Sequence, residues 1–81
     1  MQRRITVTRH LAFRAGGTPT VVIARITYVD VPAHGDTDRT SDLVSMTLET
    51  DLHEALHRRA KGVYEVLGSN EMIRCDDPRA P

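Results

Sequence analysis

The stretch Thr20-Val21-Val22-Ile23-Ala24-Arg25-Ile26-Thr27-Tyr28-Val29-Asp30-Val31 constrains the fold more than any other part of the chain. Valine, isoleucine, threonine and tyrosine lose side-chain freedom in a helix and pack well on a pleated surface, so a run this dense in them reads as a strand. Val22, Ala24, Ile26 and Tyr28 line one face. The other face is apolar at its ends (Val21, Ile23, Val29, Val31) and polar at Arg25 and Thr27, which suits a long central strand. Upstream, Ile5, Val7, Leu11 and Phe13 alternate with polar neighbours, a period-2 strand interrupted by Arg9. Phe13 and Tyr28 have core positions to fill, and Ala15-Gly16-Gly17-Thr18-Pro19 supplies the turn between the two strands.

Downstream, Pro32 to Asp42 is an acidic connection rich in Gly, Pro and Ser, long for a hairpin. Val44, Met46 and Leu48 then alternate with Ser45, Thr47 and Glu49 as a third strand. Thr50 suits an N-cap, with Asp51 and Glu54 near the positive end of a helix. Leu52, Ala55, Leu56, Ala60 and Val63 recur at helical spacing, and Gly62 is a C-terminal stop. Val63–Leu67 and Glu71–Cys75 read as two short strands joined by Gly68-Ser69-Asn70. The predicted order is βββαββ: an α+β fold, a small antiparallel sheet of about five strands with one amphipathic helix packed on a face. Residues 1–75 form a single domain and 76–81 a flexible C-terminal tail.

A chain of 81 residues buries only about 60–65% of its unfolded surface, so one core is within reach and a core plus a deep cleft is difficult. Cys75 is the lone cysteine, which excludes an intrachain disulfide. The N-terminal segment lacks the apolar run of a signal peptide, and the longest uninterrupted apolar run, Val21 to Ala24, cannot span a bilayer. These features predict a cytoplasmic protein. Ten of the eleven basic residues are arginine, a bias expected of a GC-rich bacterial or phage genome.

The net charge is zero but unevenly spread. Residues 1–29 carry Arg3, Arg4, Arg9, Arg14 and Arg25 and no acid, whereas residues 30–56 carry seven acids against Arg39 alone. Such a bipolar surface suits docking to a charged protein partner.

The one catalytic-looking string is His53-Glu54-Ala55-Leu56-His57, an H-E-x-x-H sequence. On a helix this spacing sets two imidazoles one turn apart beside a glutamate that could act as general base, which makes a zinc-dependent hydrolase the alternative reading. His53 and His57 would be its metal ligands. The extended form of the motif wants glycine and histidine where this chain has Ala60 and Val63. A helical wheel puts Leu52, Leu56, Arg59, Ala60 and Val63 toward the core, the two histidines at the border and Glu54 nearly opposite. Ligands at the rim of an exposed helix do not build a water-excluding site. No cofactor is expected.

Leu43 to Leu52, followed by a helix, resembles the strand-to-helix entry of ribbon-helix-helix DNA-binding regulators, but Ser45, Thr47 and Glu49 would place an acid toward phosphate. Single-stranded nucleic acid wants aromatic platforms among basic residues, and Phe13, Tyr28 and Tyr64 are all this chain has, so direct nucleic-acid binding is not expected. His10 and His34 stand isolated as surface groups, and Cys75 has no activating base beside it in sequence.

The C-terminal run Val63-Tyr64-Glu65-Val66-Leu67-Gly68-Ser69-Asn70, entered from an Ala- and Leu-rich helix and closed by a short strand, is similar to the end of small phage-encoded type I anti-CRISPR proteins. The resemblance spans about a quarter of the chain. It implies a compact inhibitor that blocks a Cas protein or complex, although zero net charge departs from the strongly acidic members. The expected function is therefore a non-catalytic protein-binding inhibitor of phage or mobile-element origin, docking to a host defence complex. Its expected contacts are the acidic connection (His34, Asp36, Asp38, Asp42) and an exposed helix face (Glu54, Arg58, Lys61); a homodimer is compatible with both.

Overall fold

The stretches read as strands from the sequence form strands, and the stretch read as a helix does not. The structure, a computed structural model, describes residues 2–32 and 39–81. Its strands are β1 (Gln2–Arg14), β2 (Pro19–Pro32), β3 (Arg39–Thr50), β4 (Leu56–Ala60), β5 (Val63–Val66) and β6 (Met72–Arg74). They make one antiparallel sheet in the order β3-β2-β1-β6-β5-β4. Its two ends meet where Glu49 of β3 bridges Ala55 at the head of β4, so the sheet curls into a nearly closed barrel. This corrects the expected α+β class: the described residues contain six strands and no helix.

The reason lies in residues 50–54. Thr50 does act on the following amides as an N-cap would, its Oγ1 accepting from the N–H of Leu52 (3.3 Å) and Glu54 (3.2 Å). The chain then reverses. His53 N–H donates to Thr50 C=O and Thr50 N–H to Glu54 C=O, both at 2.9 Å, while His53 takes a left-handed φ of 64°. A turn closed by one left-handed residue is a three-residue hairpin loop, not a helix start. The β1–β2 loop is built alike, with Gly17 at φ 87° and bonds between Arg14 and Thr18 and between Gly17 and Arg14. An isolated helix of about ten residues is marginal in water. Here the same residues gain more by pairing with β5, Leu56 opposite Val66 and His57 opposite Glu65. Leu52, assigned to the core of the expected helix, is 69% exposed.

The core lies inside the curl: Ala12, Val22, Ala24, Leu48, Leu56, Tyr64, Val66, Ile73 and Cys75. Small residues at 12 and 24 leave room in a tight barrel for Tyr64 and Ile73, which are fully buried. This places the even residues of β1 inward and corrects the expected core positions of its odd ones. Ile5 (65%), Leu11 (61%) and Phe13 (41%) are exposed on the outer face. Both faces of β1 could be read from alternation, and a strand's pattern does not say which face the curl encloses.

Residues 76–81, where the sequence predicts a tail, lie against the barrel. Ala80 is buried, and Pro81 C=O accepts from Tyr64 Oη (2.7 Å) and Gly62 N–H (2.9 Å). Beyond the barrel, the first halves of β1 and β3 and the second half of β2 continue as a three-stranded arm. β6 pairs with β1 only at Phe13 and Arg14. The molecule measures 53 × 24 × 18 Å with a radius of gyration of 15.4 Å, against about 12 Å for a compact chain of this length.

Candidate docking surfaces

The two ends of the barrel differ in how completely side chains satisfy each other. At one end the three hairpin loops β1–β2, β3–β4 and β5–β6 converge on Arg14. Its guanidinium forks onto Glu54 through Nη1 and Nη2 (2.8 Å each) and onto Glu71 through Nη2 (2.7 Å) and Nε (3.3 Å). Thr50 Oγ1 also donates to Glu54 at 2.9 Å, and Thr20 Oγ1 to Asp51 at 2.9 Å. The Arg14 fork, with help from Thr50, holds the Glu54 carboxyl down at about 2. Arg14 in turn is raised by Glu54 and Glu71. Glu54, the would-be general base, is thus an ionised structural partner.

The histidines flanking it are not brought together as a helix would bring them. His53 sits in the loop, 85% exposed, with Nδ1 3.9 Å from Glu49 Oε2. His57 is exposed on β4 opposite Glu65. The described residues contain no group of three or more His, Cys, Asp or Glu arranged to hold a metal ion. The zinc-hydrolase and ribbon-helix-helix readings both required a helix after β3, and that helix is absent.

A second polar line was missed in the sequence. His10 is 7% exposed, its Nδ1 2.8 Å from Asp77 Oδ2 and its Nε2 2.9 Å from Thr8 Oγ1. The bond from His10, then one from Arg79 N–H, lowers the Asp77 carboxyl. Residues 67 apart in sequence carry no spacing signal, so only the even parity of His10 on β1, shared with Ala12, could have hinted at burial. The arrangement pins the C-terminal residues to β1. Cys75 adds to it, its buried thiol donating to Leu11 C=O at 3.2 Å.

The outer face of β1 and β2 carries the apolar surface. Ile5, Val7, Leu11 and Phe13 are 41–65% exposed, and Val21 and Ile23, half-buried, stand opposite Leu11 and Arg9 on β2. Arg3 and Arg9 share this face; Arg25 does too, but is paired with Glu49, whose carboxyl it lowers. On the inner face of the arm the Arg4 guanidinium lies 5.1 Å from the centre of the Tyr28 ring.

Between β3 and β4 lies a seam. The strands bridge at Glu49 and Ala55, and beside the bridge lies a cavity of about 400 Å³ lined by Met46, Thr47, Leu48, Leu56, His57 and Arg58. Of the contacts expected from the sequence, Arg58 lies on this seam and Lys61 is exposed in the β4–β5 turn. Glu54 faces the opposite end, bound to Arg14. Asp42 stands on β3 opposite Val29. His34, Asp36 and Asp38 lie outside the described residues. Comparison of the chain with protein-family models, with curated proteins and with solved structures gave no match.

Proposed function

We propose that this chain is a non-catalytic docking module that binds another protein through the outer face of β1 and β2. The observation that supports it most is the apolar row Ile5, Val7, Leu11 and Phe13, which a chain of this size leaves in water while carrying its strands beyond its own core. A sheet stabilises by burying at least one face, and contiguous exposed apolar surface marks a contact site. Arg3 and Arg9 at the edge of the row favour a partner whose rim is acidic. Inhibition of a host defence complex, implied by the likeness of residues 63–70 to anti-CRISPR proteins, is the narrower form of this reading. Residues 63–66 form β5, and the helix expected before them is absent.

The test is co-purification of the tagged chain from its own host, wild type against Ile5→Ser/Leu11→Ser. Both side chains are more than half exposed, so melting temperature should stay within a few degrees. A stoichiometric protein retained by wild type and lost from the double variant supports the proposal. Equal retention by both, or recovery of nucleic acid in place of protein, refutes it.

A further inference from the structure

β1 is paired along the whole of one side and along little of the other. On one side lies β2, in register from Gln2 opposite Asp30 to Phe13 opposite Pro19. On the other lies β6, whose ladder with β1 holds only Phe13 and Arg14. The chain that follows β6 returns to β1 at Leu11, through the Cys75 thiol, and at His10, through Asp77. From Arg3 to Val7, β1 has no strand partner on that side among the described residues. Arg3, Ile5 and Val7 on the outer face and Thr6 on the inner face are all exposed.

The hairpin loop shows which peptide groups this leaves over. Arg14 N–H donates to Thr18 C=O, and Arg14 C=O accepts from Gly17 N–H, so both groups of Arg14 face β2. Alternation in an antiparallel ladder gives every even residue of β1 that direction and turns N–H and C=O of every odd residue the other way. The register with β2 runs without a shift, so the parity holds to the start of the strand. Leu11, an odd residue, agrees: its C=O meets the Cys75 thiol on the side away from β2. Arg3, Ile5 and Val7 therefore present their N–H and C=O groups along a free edge.

Charge decides what suits that edge. Residues 1–13 carry Arg3, Arg4 and Arg9 and no acid. Like charges across a ladder destabilise it, and charged side chains are how edge strands avoid their own copies, so a second β1 is a poor occupant. Arg3 is exposed and makes no ion pair among the described residues.

We infer that the Arg3–Val7 edge of β1 takes an extended segment of a partner protein as an added antiparallel strand, with apolar side chains beside Val7 and Ile5 and an acidic one beside Arg3. Main-chain bonds hold such a strand and its alternate side chains select it. The antiparallel direction follows the rest of this sheet and is the more stable of the two per residue. The added strand would widen the apolar row of the outer face, so the inference rests on the docking reading and names the part of the partner that is bound.

The probe is a capped peptide, Thr-Val-Thr-Val-Thr-Glu-Thr, of about the usual strand length. Its valines fall opposite Val7 and Ile5 and its glutamate opposite Arg3. Binding is followed by fluorescence anisotropy and amide exchange. The peptide should bind about five-fold more tightly than its lysine counterpart, as expected for one exposed charge pair, and Arg3→Glu should invert that order. N-methylation of either valine should abolish binding, since those N–H groups bond β1, whereas N-methylation of the threonine between them should not. Exchange should slow at Arg3, Ile5 and Val7 and stay unchanged at Arg4 and Thr6, whose amides face β2. Ile5→Pro should fold as wild type does, because edge strands accept proline where the N–H is spare, and should not bind the peptide. Equal loss on N-methylating valine or threonine overturns the inference, as does indifference to Arg3→Glu. Self-association abolished by Ile5→Pro also overturns it, by assigning the edge to a second copy. If no peptide binds, and the host protein is lost from Ile5→Ser/Leu11→Ser but kept by Arg3→Glu, the edge inference fails and the docking reading stands. Peptide binding with the expected N-methyl pattern, when no host protein is retained, keeps the edge and sinks the docking reading.

Discussion

Among the described glycines, Gly62 is the one whose added Cβ would meet another stretch of backbone, and replacing it with alanine measures how tightly the C-terminal residues are held. Gly62 turns between β4 and β5 at φ 73°, a conformation an L side chain enters at a cost of about 1–2 kcal/mol. A Cβ built there would stand 2.5 Å from the carbonyl oxygen of Cys75, whereas ordinary contact begins at 3.4 Å. The obstacle is backbone, so the neighbouring chain must move by about 0.9 Å. That movement would stretch the bonds from Cys75 N–H to Gly62 C=O (2.8 Å) and from Gly62 N–H to Pro81 C=O (2.9 Å) to or beyond their useful range. Overpacking of this kind costs about 1–3 kcal/mol. Gly62→Ala should therefore lose about 2–5 kcal/mol. The control is Gly17→Ala, with φ 87° but open space around its Cβ, which should lose only the about 1–2 kcal/mol of backbone conformation. Urea unfolding followed by far-ultraviolet circular dichroism compares the two. If both variants lose the same amount, within about 0.5 kcal/mol, Gly62 does not make the close approach and the C-terminal residues are not pinned as described.

Three further outcomes follow from the packing. Glu54 has its folded pKa depressed from 4.5 to about 2, so its pairing with Arg14 stabilises the fold above the unfolded value and the effect is lost as pH falls through that window. Glu54→Gln should thus be less stable than wild type at pH 7 and converge with it between about pH 4.5 and 2; parallel stability curves across that range would contradict the assignment. Ile73→Ala, at a fully buried position, should cost about 2–4 kcal/mol, while Leu11→Ala should stay within about 0.5 kcal/mol, and the reverse ranking in chemical denaturation would put the wrong face of β1 inside. His53→Gly should raise stability by roughly 0.5 kcal/mol by removing left-handed strain at the position equivalent to Gly17, and a lower melting temperature would show that the imidazole makes a contact worth more than the strain.

What the sequence displayed and what it concealed divide along the same physical line. β-branched density marked β2, and alternation marked β1 and β3, because those signals are local. The hairpin β5–β6 was equally plain from Gly68-Ser69-Asn70, where Asn70 supplies the positive φ of 60°. Residues 52–63 carried a helical spacing of leucines and alanines that was also real, but a local preference of that size yields to a long-range gain. Leu56 could serve either design, and pairing with Val66 decided it. The inward face of β1 was hidden because both of its faces carry bulky or half-polar residues. Only the partners from distant strands show that Ala12 and His10 turn in. The His10–Asp77 and Arg14–Glu54–Glu71 contacts join residues 40 to 67 positions apart, and no spacing rule reaches that far.

The polar groups also fix the middle of the H-E-x-x-H string in a structural role. A general base must be free to take a proton, whereas Glu54 is held ionised by a bidentate arginine and a threonine hydroxyl, in a loop whose shape depends on that bond. The consequence is an asymmetric barrel. Its turn end is fastened by one arginine to the loops of three hairpins, so that end has few groups left to offer a ligand. The outer face of β1, by contrast, leaves Ile5, Val7, Leu11 and Phe13 exposed. Under the docking proposal that face is carried by strands already in register, and binding surfaces that need no ordering lose less entropy on association.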